Sequence, residues 1–294
     1  MNKRNALFGG LLLVSLVLWW PSLVRTFSYA IHNDQYTHIL VILPVSLAFI
    51  FLERRKLQSV AKWSGWTLSY ILFALSLTVF LVEKFTALVP ASGELTLSMA
   101  ALVVWWISSF IVCFGIDAFR IALFPLCFLY WIVPWPQPFL DLLIQMLQHY
   151  SASGVAWTFQ LFGIPVLRDG VILSIPGLTI EVAKECSSIR SSLILLVSSM
   201  VLAQLFLRAK WRKGLIVLLA VPLSVGKNVL RIFTLSMLGI HVNRGFLTGR
   251  LHHQGGIVFY AAALAVIFLV IYLFQRQENR QANSPQSSAV LAVE

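Results

Sequence analysis

Residues 256–275 read GIVFYAAALAVIFLVIYLFQ, a run without one charged side chain. As a helix it would be ~30 Å long, the thickness of a bilayer's hydrocarbon core. The sequence supplies such runs repeatedly. Working back from the C-terminus, further spans are expected at about 214–239, 188–207, 119–134, 95–115, 64–82, 38–53 and 6–24. Composition agrees: of 294 residues, 59% are hydrophobic and 11% charged, where soluble domains carry about 25% charged residues. Mean hydropathy is +0.85. The fold class expected is an all-α integral membrane protein with about eight transmembrane helices. The first run follows Lys3 and Arg4 and could be read as a signal peptide. It ends in Trp19-Trp20-Pro21 without a small-residue cleavage site, and more spans follow, so it is read as the first span.

Between the fifth and sixth spans lies a long non-spanning region, 135–187. It opens after Pro134, with Pro136 and Pro138 close behind, which end a helix. Residues 139–162 carry Asp141, Gln145, Gln148 and Ser151 at near-helical spacing, predicting a short extracytoplasmic helix along the membrane or against the bundle. Arg168-Asp169-Gly170 between β-prone residues signals a hairpin, and Pro176-Gly177 marks a second turn before extended residues 178–182. The organisation expected is one polytopic domain over 1–275 and a polar, disordered cytoplasmic tail over 276–294.

In a soluble protein the net charge of +11 would suggest nucleic acid. Here it reports orientation, and no nucleic-acid partner is expected. The clusters ERRK (53–56) and RAKWRK (208–213) lie in short loops, which face the cytoplasm under the positive-inside rule. Both termini then lie in the cytoplasm, and 135–187 and 240–255 face outward.

Three features carry chemistry. Lys227, Asn228 and Arg231 fall inside the seventh span, where an uncompensated cation costs about 2.5–3.5 kcal/mol. Positions 227 and 231 share a helix face, and the structural alternative is that both snorkel to the outer interface. Cys186, in Glu185-Cys186-Ser187-Ser188-Ile189-Arg190, opens the sixth span among polar neighbours. A helix N-terminus and a nearby cation such as Arg190 both favour the thiolate. Cys113 and Cys127 lie in apolar runs and read as inert packing residues. His252 and His253 stand immediately before the eighth span. Topology gathers Cys186, Arg231 and His252 at one membrane face on three consecutive helices. A thiol, an imidazole and a cation supply a nucleophile, a proton carrier and an oxyanion partner, the set an acyl-transfer enzyme needs. Tyr36, Thr37 and His38 sit at the same face, either binding substrate or anchoring the second span. There is no Gly-rich phosphate loop, and a His pair with one cysteine is a poor zinc set, so no metal or cofactor is expected.

These residues resemble the exosortase/archaeosortase family of membrane cysteine transpeptidases. Asp34-Gln35-Tyr36-Thr37-His38, followed by Pro44 and Glu53-Arg54-Arg55, is similar to the family's early D-x-x-Y-[ST]-H motif. Pro125 to Pro138 is similar to its proline-punctuated fifth span. Val182 to Ser191 resembles the catalytic-cysteine motif. Asn228-Val229-Leu230-Arg231 matches N-x-x-R, and His252 to Gly256 matches H-x-x-x-G. The chain departs from the pattern at Glu185, where a small residue is usual, and at Ser188, where glycine is usual. Gly256 four residues on selects His252 over His253 as the catalytic histidine.

The resemblance implies a cysteine peptidase or transpeptidase of the inner membrane, with Cys186, Arg231 and His252 catalytic. Tyr36, His38, Arg190, Lys227, Asn228 and His253 would support the site or bind substrate. Its substrates would be exported proteins ending in a short motif, a hydrophobic helix and a basic cluster. The acyl group would pass to water, an amine or a surface-glycan acceptor. A different class of function, a non-catalytic transporter or assembly subunit for surface polysaccharide, would use Lys227 and Arg231 to line an anion path and would not need a thiol at 186.

Overall fold

The structure is a computed structural model that describes residues 3–85, 90–182, 189–243, 245 and 256–282. Six of the described helices are long and apolar enough to cross a membrane, or up to eight if each of two bent pairs is one span. The protein is an all-α membrane protein with one small sheet, and it divides into compact units over 1–140 and 141–294.

In the first unit, α1 (Lys3–Leu18) and α2 (Trp20–His32) meet at a bend of 76° and together are long and apolar enough for one span. Pro21 does not end the span as the sequence suggests. It occupies the first turn of α2, where a missing N–H costs nothing. Trp19 at the break is fully buried between the rings of Phe80 and Trp105. A 3₁₀ turn (Asp34–Tyr36) leads into α3 (Ile39–Leu52), then come α4 (Arg54–Val60), α5 (Trp66–Phe85) and α6 (Ala91–Ile121). Small polar residues set the register between these helices. The Trp105 indole donates to Leu11 O, the Trp106 indole to Ser15 Oγ, and Ser22 pairs with Ser98, so α6 runs antiparallel to the first span. Ser108 donates to Ser69 O and Ser76 to Ala101 O, so α6 also runs antiparallel to α5.

Helix α6 is broken at Gly115, whose φ of 88° and ψ of 171° are open only to glycine. The chain reverses there. α7 (Leu123–Phe128) and a 3₁₀ turn (Leu129–Ile132) carry it back until Thr96 Oγ1, near the start of α6, donates to Pro134 O at 2.7 Å. The outward and return legs are both ~28 Å long at helical rise, enough for one span each. The two legs thus form a helical hairpin. Hydrogen bonds define the unit's two ends. At one, Arg4 donates to Ala61 O and the Lys62 amide to Phe114 O. At the other, Tyr36 donates to Trp135 O, and Arg25 lies 4.0 Å from Glu94.

The second unit holds most of α8 (Gln137–Leu161), a sheet, and α9 (Ile189–Phe206), α10 (Lys210–His241) and α11 (Gly256–Ala282). The sheet is an antiparallel meander of β1 (Leu167–Asp169), β2 (Ile172–Ile175) and β3 (Leu178–Glu181), in which Arg168 stands opposite Leu173 and Leu173 opposite Ile180. Gly170 and Gly177 take positive φ at its turns, where the sequence predicts them. Leu173 and Ile175 bury one face of the sheet against Ala152, Val155 and Phe159 of α8 and Ile232 of α10. A second core joins Leu195 and Ala203 of α9, Ile216 and Ala220 of α10, and Ile267 and Ile271 of α11.

Of the two placements expected for α8, the one observed is against the bundle. Gln148 and Ser151 are buried, while Asp141 and Gln145 are not. Gln148 finds its partner inside the fold, which spacing along one helix cannot reveal. Helix α11 continues beyond the expected end of the span at 275. Its Glu278 accepts from the Arg208 and Ala209 amides at the start of α10 and lies 3.4 Å from Arg212, and residues 276–282 are helical rather than part of a disordered tail. The remainder of the expected tail, 283–294, lies outside the described residues.

Candidate active site

The buried cations of α10 are the starting point. Relative exposures are 7% for Lys227, 1% for Asn228 and 8% for Arg231. From Lys210, among the basic residues at the start of α10, Arg231 lies ~32 Å along the helix, at the opposite edge of a bilayer core. The side chains point into the protein, so the snorkelling alternative does not describe them. Lys227 Nζ donates to Ser191 Oγ, at 2.5 Å, joining α10 to the first turn of α9. In that turn Ile189 is buried and Arg190 exposed.

A second helix approaches α10 at the same level. Gly154 of α8 lies so near Val229 that a Cβ would stand 2.6 Å from Val229 Cγ2. Glycine there lets α8 pack beside Asn228. The same helix supplies Gln148, whose side-chain amide donates to Val182 O at 2.8 Å. The Val182 amide donates in turn to Val171 O, and its side chain shares the buried cluster containing Ile232. Val182 and Ser191 are therefore both tied to the part of the fold that carries Lys227, Asn228 and Arg231. Of the residues between them, 183–188, which include Cys186, lie outside the described residues, as do His252 and His253.

Tyr36 and His38 belong to the first unit. Tyr36 is buried, meets Tyr29 edge-on at 5.7 Å and lines a cavity of about 590 Å³ with Arg25, Glu94 and Trp135. His38 is buried edge-on to Trp131. Both are fitted into the unit rather than spread over its surface. Of the remaining cysteines, Cys113 is buried and Cys127 exposed.

Two residues of this arrangement are not found by sequence reading. Spacing alone makes Gln148 part of a polar face, and Ser191 one more serine of a serine-rich helix start. Polar residues inside an otherwise apolar stretch, with a backbone carbonyl or buried amine to satisfy, are the signal that could find them.

The chain matches the family model described as transmembrane exosortase (Exosortase_EpsH) over residues 19–269. No curated protein and no solved structure matches it. The matched range contains every residue discussed above as a candidate, from Tyr36 to His253. This multi-pass membrane protein, with its buried cations on α10, belongs to the exosortase family of membrane transpeptidases.

Proposed function

We propose that the protein is a cysteine transpeptidase that cleaves the C-terminal sorting signals of exported proteins at the outer face of the cytoplasmic membrane. The observation that carries this reading is the inward placement of Lys227, Asn228 and Arg231 at the level where the chain on either side of Cys186 is held. Burying two cations in a span costs several kcal/mol, and a site that handles developing negative charge is a reason to retain them. Family membership adds the reaction class. The first unit supports the orientation. Arg4 and Lys62 mark one of its ends, and Trp135, which opens the 135–187 region, lies at the other.

In the reaction, the Cys186 thiolate attacks the scissile carbonyl. A C–S bond forms and the carbonyl oxygen takes the charge, with Arg231 either holding the thiolate beforehand or binding this oxyanion. The C–N bond then breaks as His252 delivers a proton to the leaving amine, and a thioacyl enzyme remains. An acceptor amine or hydroxyl, or water, attacks the thioester, loses a proton to His252 and releases Cys186. The products are a transferred protein or a free carboxylate.

The test is co-expression of Cys186→Ala with candidate proteins that carry a motif, a hydrophobic helix and a basic cluster. Uncleaved precursor should accumulate while the variant still reaches the membrane. Normal processing by Cys186→Ala would instead favour a transport or assembly role, which has no use for that thiol.

A further inference from the structure

We propose that the cavity in the first unit binds the headgroup of a zwitterionic phospholipid, an inference that goes beyond the thiol chemistry and does not depend on it. The cavity lies at the end of the unit opposite Arg4 and Lys62. It holds about 590 Å³, within the roughly 300–1,000 Å³ of small-molecule sites. The fold fixes its walls. Tyr36 donates to Trp135 O, Thr96 donates to Pro134 O, and the Tyr29 and Tyr36 rings meet edge-on. Arg25 of α2 and Glu94 of α6 both line it, 4.0 Å apart, with side chains 68% and 45% exposed. An ion pair so loose and so open adds little stability, so a ligand that offers each group a partner can part it at small cost.

The paired charges select the ligand. A lone anion suits Arg25 and is repelled by Glu94, and a lone cation meets the reverse. A phosphate and an ammonium on a short linker give each group its counter-charge. The guanidinium fork matches two phosphate oxygens. The ammonium goes to Glu94 and to the aromatic rings of the lining, Tyr29, Tyr36 and Trp135, whose π-faces attract cations. The surroundings select a lipid over a free zwitterion. Val24 lines the cavity and is exposed, and Trp20, one turn back on the same face of α2, is exposed as well. An apolar flank therefore runs from the cavity along α2 toward the middle of the span, where an acyl chain joined to the headgroup would lie. Arg25 stands about two turns before the end of α2, which puts the headgroup near the membrane boundary remote from Arg4 and Lys62.

The experiment titrates the purified full-length protein, in a non-ionic detergent, with three lipids and reads the first lipid bound by native mass spectrometry. The lipids are zwitterionic dioleoylphosphatidylcholine, anionic dioleoylphosphatidylglycerol and uncharged glucosyl dioleoylglycerol. A quaternary ammonium cannot attack a thioester, so the readout is binding alone and is separate from any processing. Thermal unfolding is recorded for each variant. Phosphatidylcholine should bind about 10-fold or more tightly than either of the others. Arg25→Gln should weaken it about 10- to 100-fold, the loss of a charged hydrogen bond to phosphate. Glu94→Gln should weaken it and bring phosphatidylglycerol to equal affinity. Tyr29→Ala, which removes an exposed ring and spares the buried packing, should weaken it about three-fold or more. Arg54→Gln in α4, toward the opposite end, should leave phosphatidylcholine binding unchanged. Equal affinity for the three lipids overturns the proposal. So does a preference for phosphatidylcholine that survives both Arg25→Gln and Glu94→Gln at unchanged unfolding midpoint. Displacement of the bound lipid by an equal concentration of glycerophosphocholine would make the occupant a free zwitterion and overturn the lipid assignment.

Discussion

In the reaction proposed here, Arg231 is the described residue with the largest part. Its guanidinium offers a planar fork of donors, suited to a thiolate or to an oxyanion. Losing one oxyanion donor costs on the order of 10²–10³ in rate in well-studied enzymes, so Arg231→Ala should be nearly inactive in a processing assay. Arg231→Lys keeps the charge and loses the fork, and should be substantially impaired. Wild-type processing by Arg231→Ala would remove it from the site. Proton delivery separates the two histidines: His252→Ala should be severely defective and His253→Ala only mildly so. The N-x-x-R spacing is legible in the sequence because charges within a span stand out against their surroundings. Ser191 and Gln148 are not, because their meaning lies in partners 36 and 34 residues away.

Among the elements, turns are easier to read than interfaces. Arg168-Asp169-Gly170 and Pro176-Gly177 bracket β2, and glycine takes the positive φ that each turn needs. Gly115 carries equal weight and gives no such warning, since a lone glycine in an apolar run is ordinary. Its backbone turns the chain between the two legs of the helical hairpin, and an added Cβ would collide with Lys62 O and lie 2.6 Å from Ser64 Oγ. Gly115→Ala should therefore destabilise the hairpin by about 1–3 kcal/mol through backbone strain, with the collision adding to it. Less protein should accumulate in the membrane, and its detergent-solubilised form should unfold at lower temperature. Behaviour identical to wild type would mean that the turn can be made without glycine. The amphipathic segment shows the opposite limit of sequence reading. Its periodicity predicts the helix but not which of the two placements it takes, and the burial of Gln148 and Ser151 selects packing against the bundle over lying along the membrane.

For the whole molecule, hydropathy is enough to establish a multi-pass helical protein, because a bilayer leaves the backbone few other choices. Orientation rests on the basic clusters, and it can be tested without any substrate. In protein lacking its native cysteines, a membrane-impermeant maleimide added to intact cells should label Asp169→Cys and leave Gln58→Cys unlabelled until the cells are opened. The reverse pattern would place the proposed site at the wrong face. The central claim, that this exosortase works through a thioacyl intermediate on Cys186, has a direct chemical readout. Membranes containing the protein and a tail-signal substrate are quenched in acid, digested and examined by mass spectrometry for substrate joined to the peptide bearing Cys186. The account predicts an adduct on Cys186 that neutral hydroxylamine releases and that is missing from Cys186→Ala. Substrate cleaved at full rate with no such adduct, or with the adduct on another residue, would contradict it.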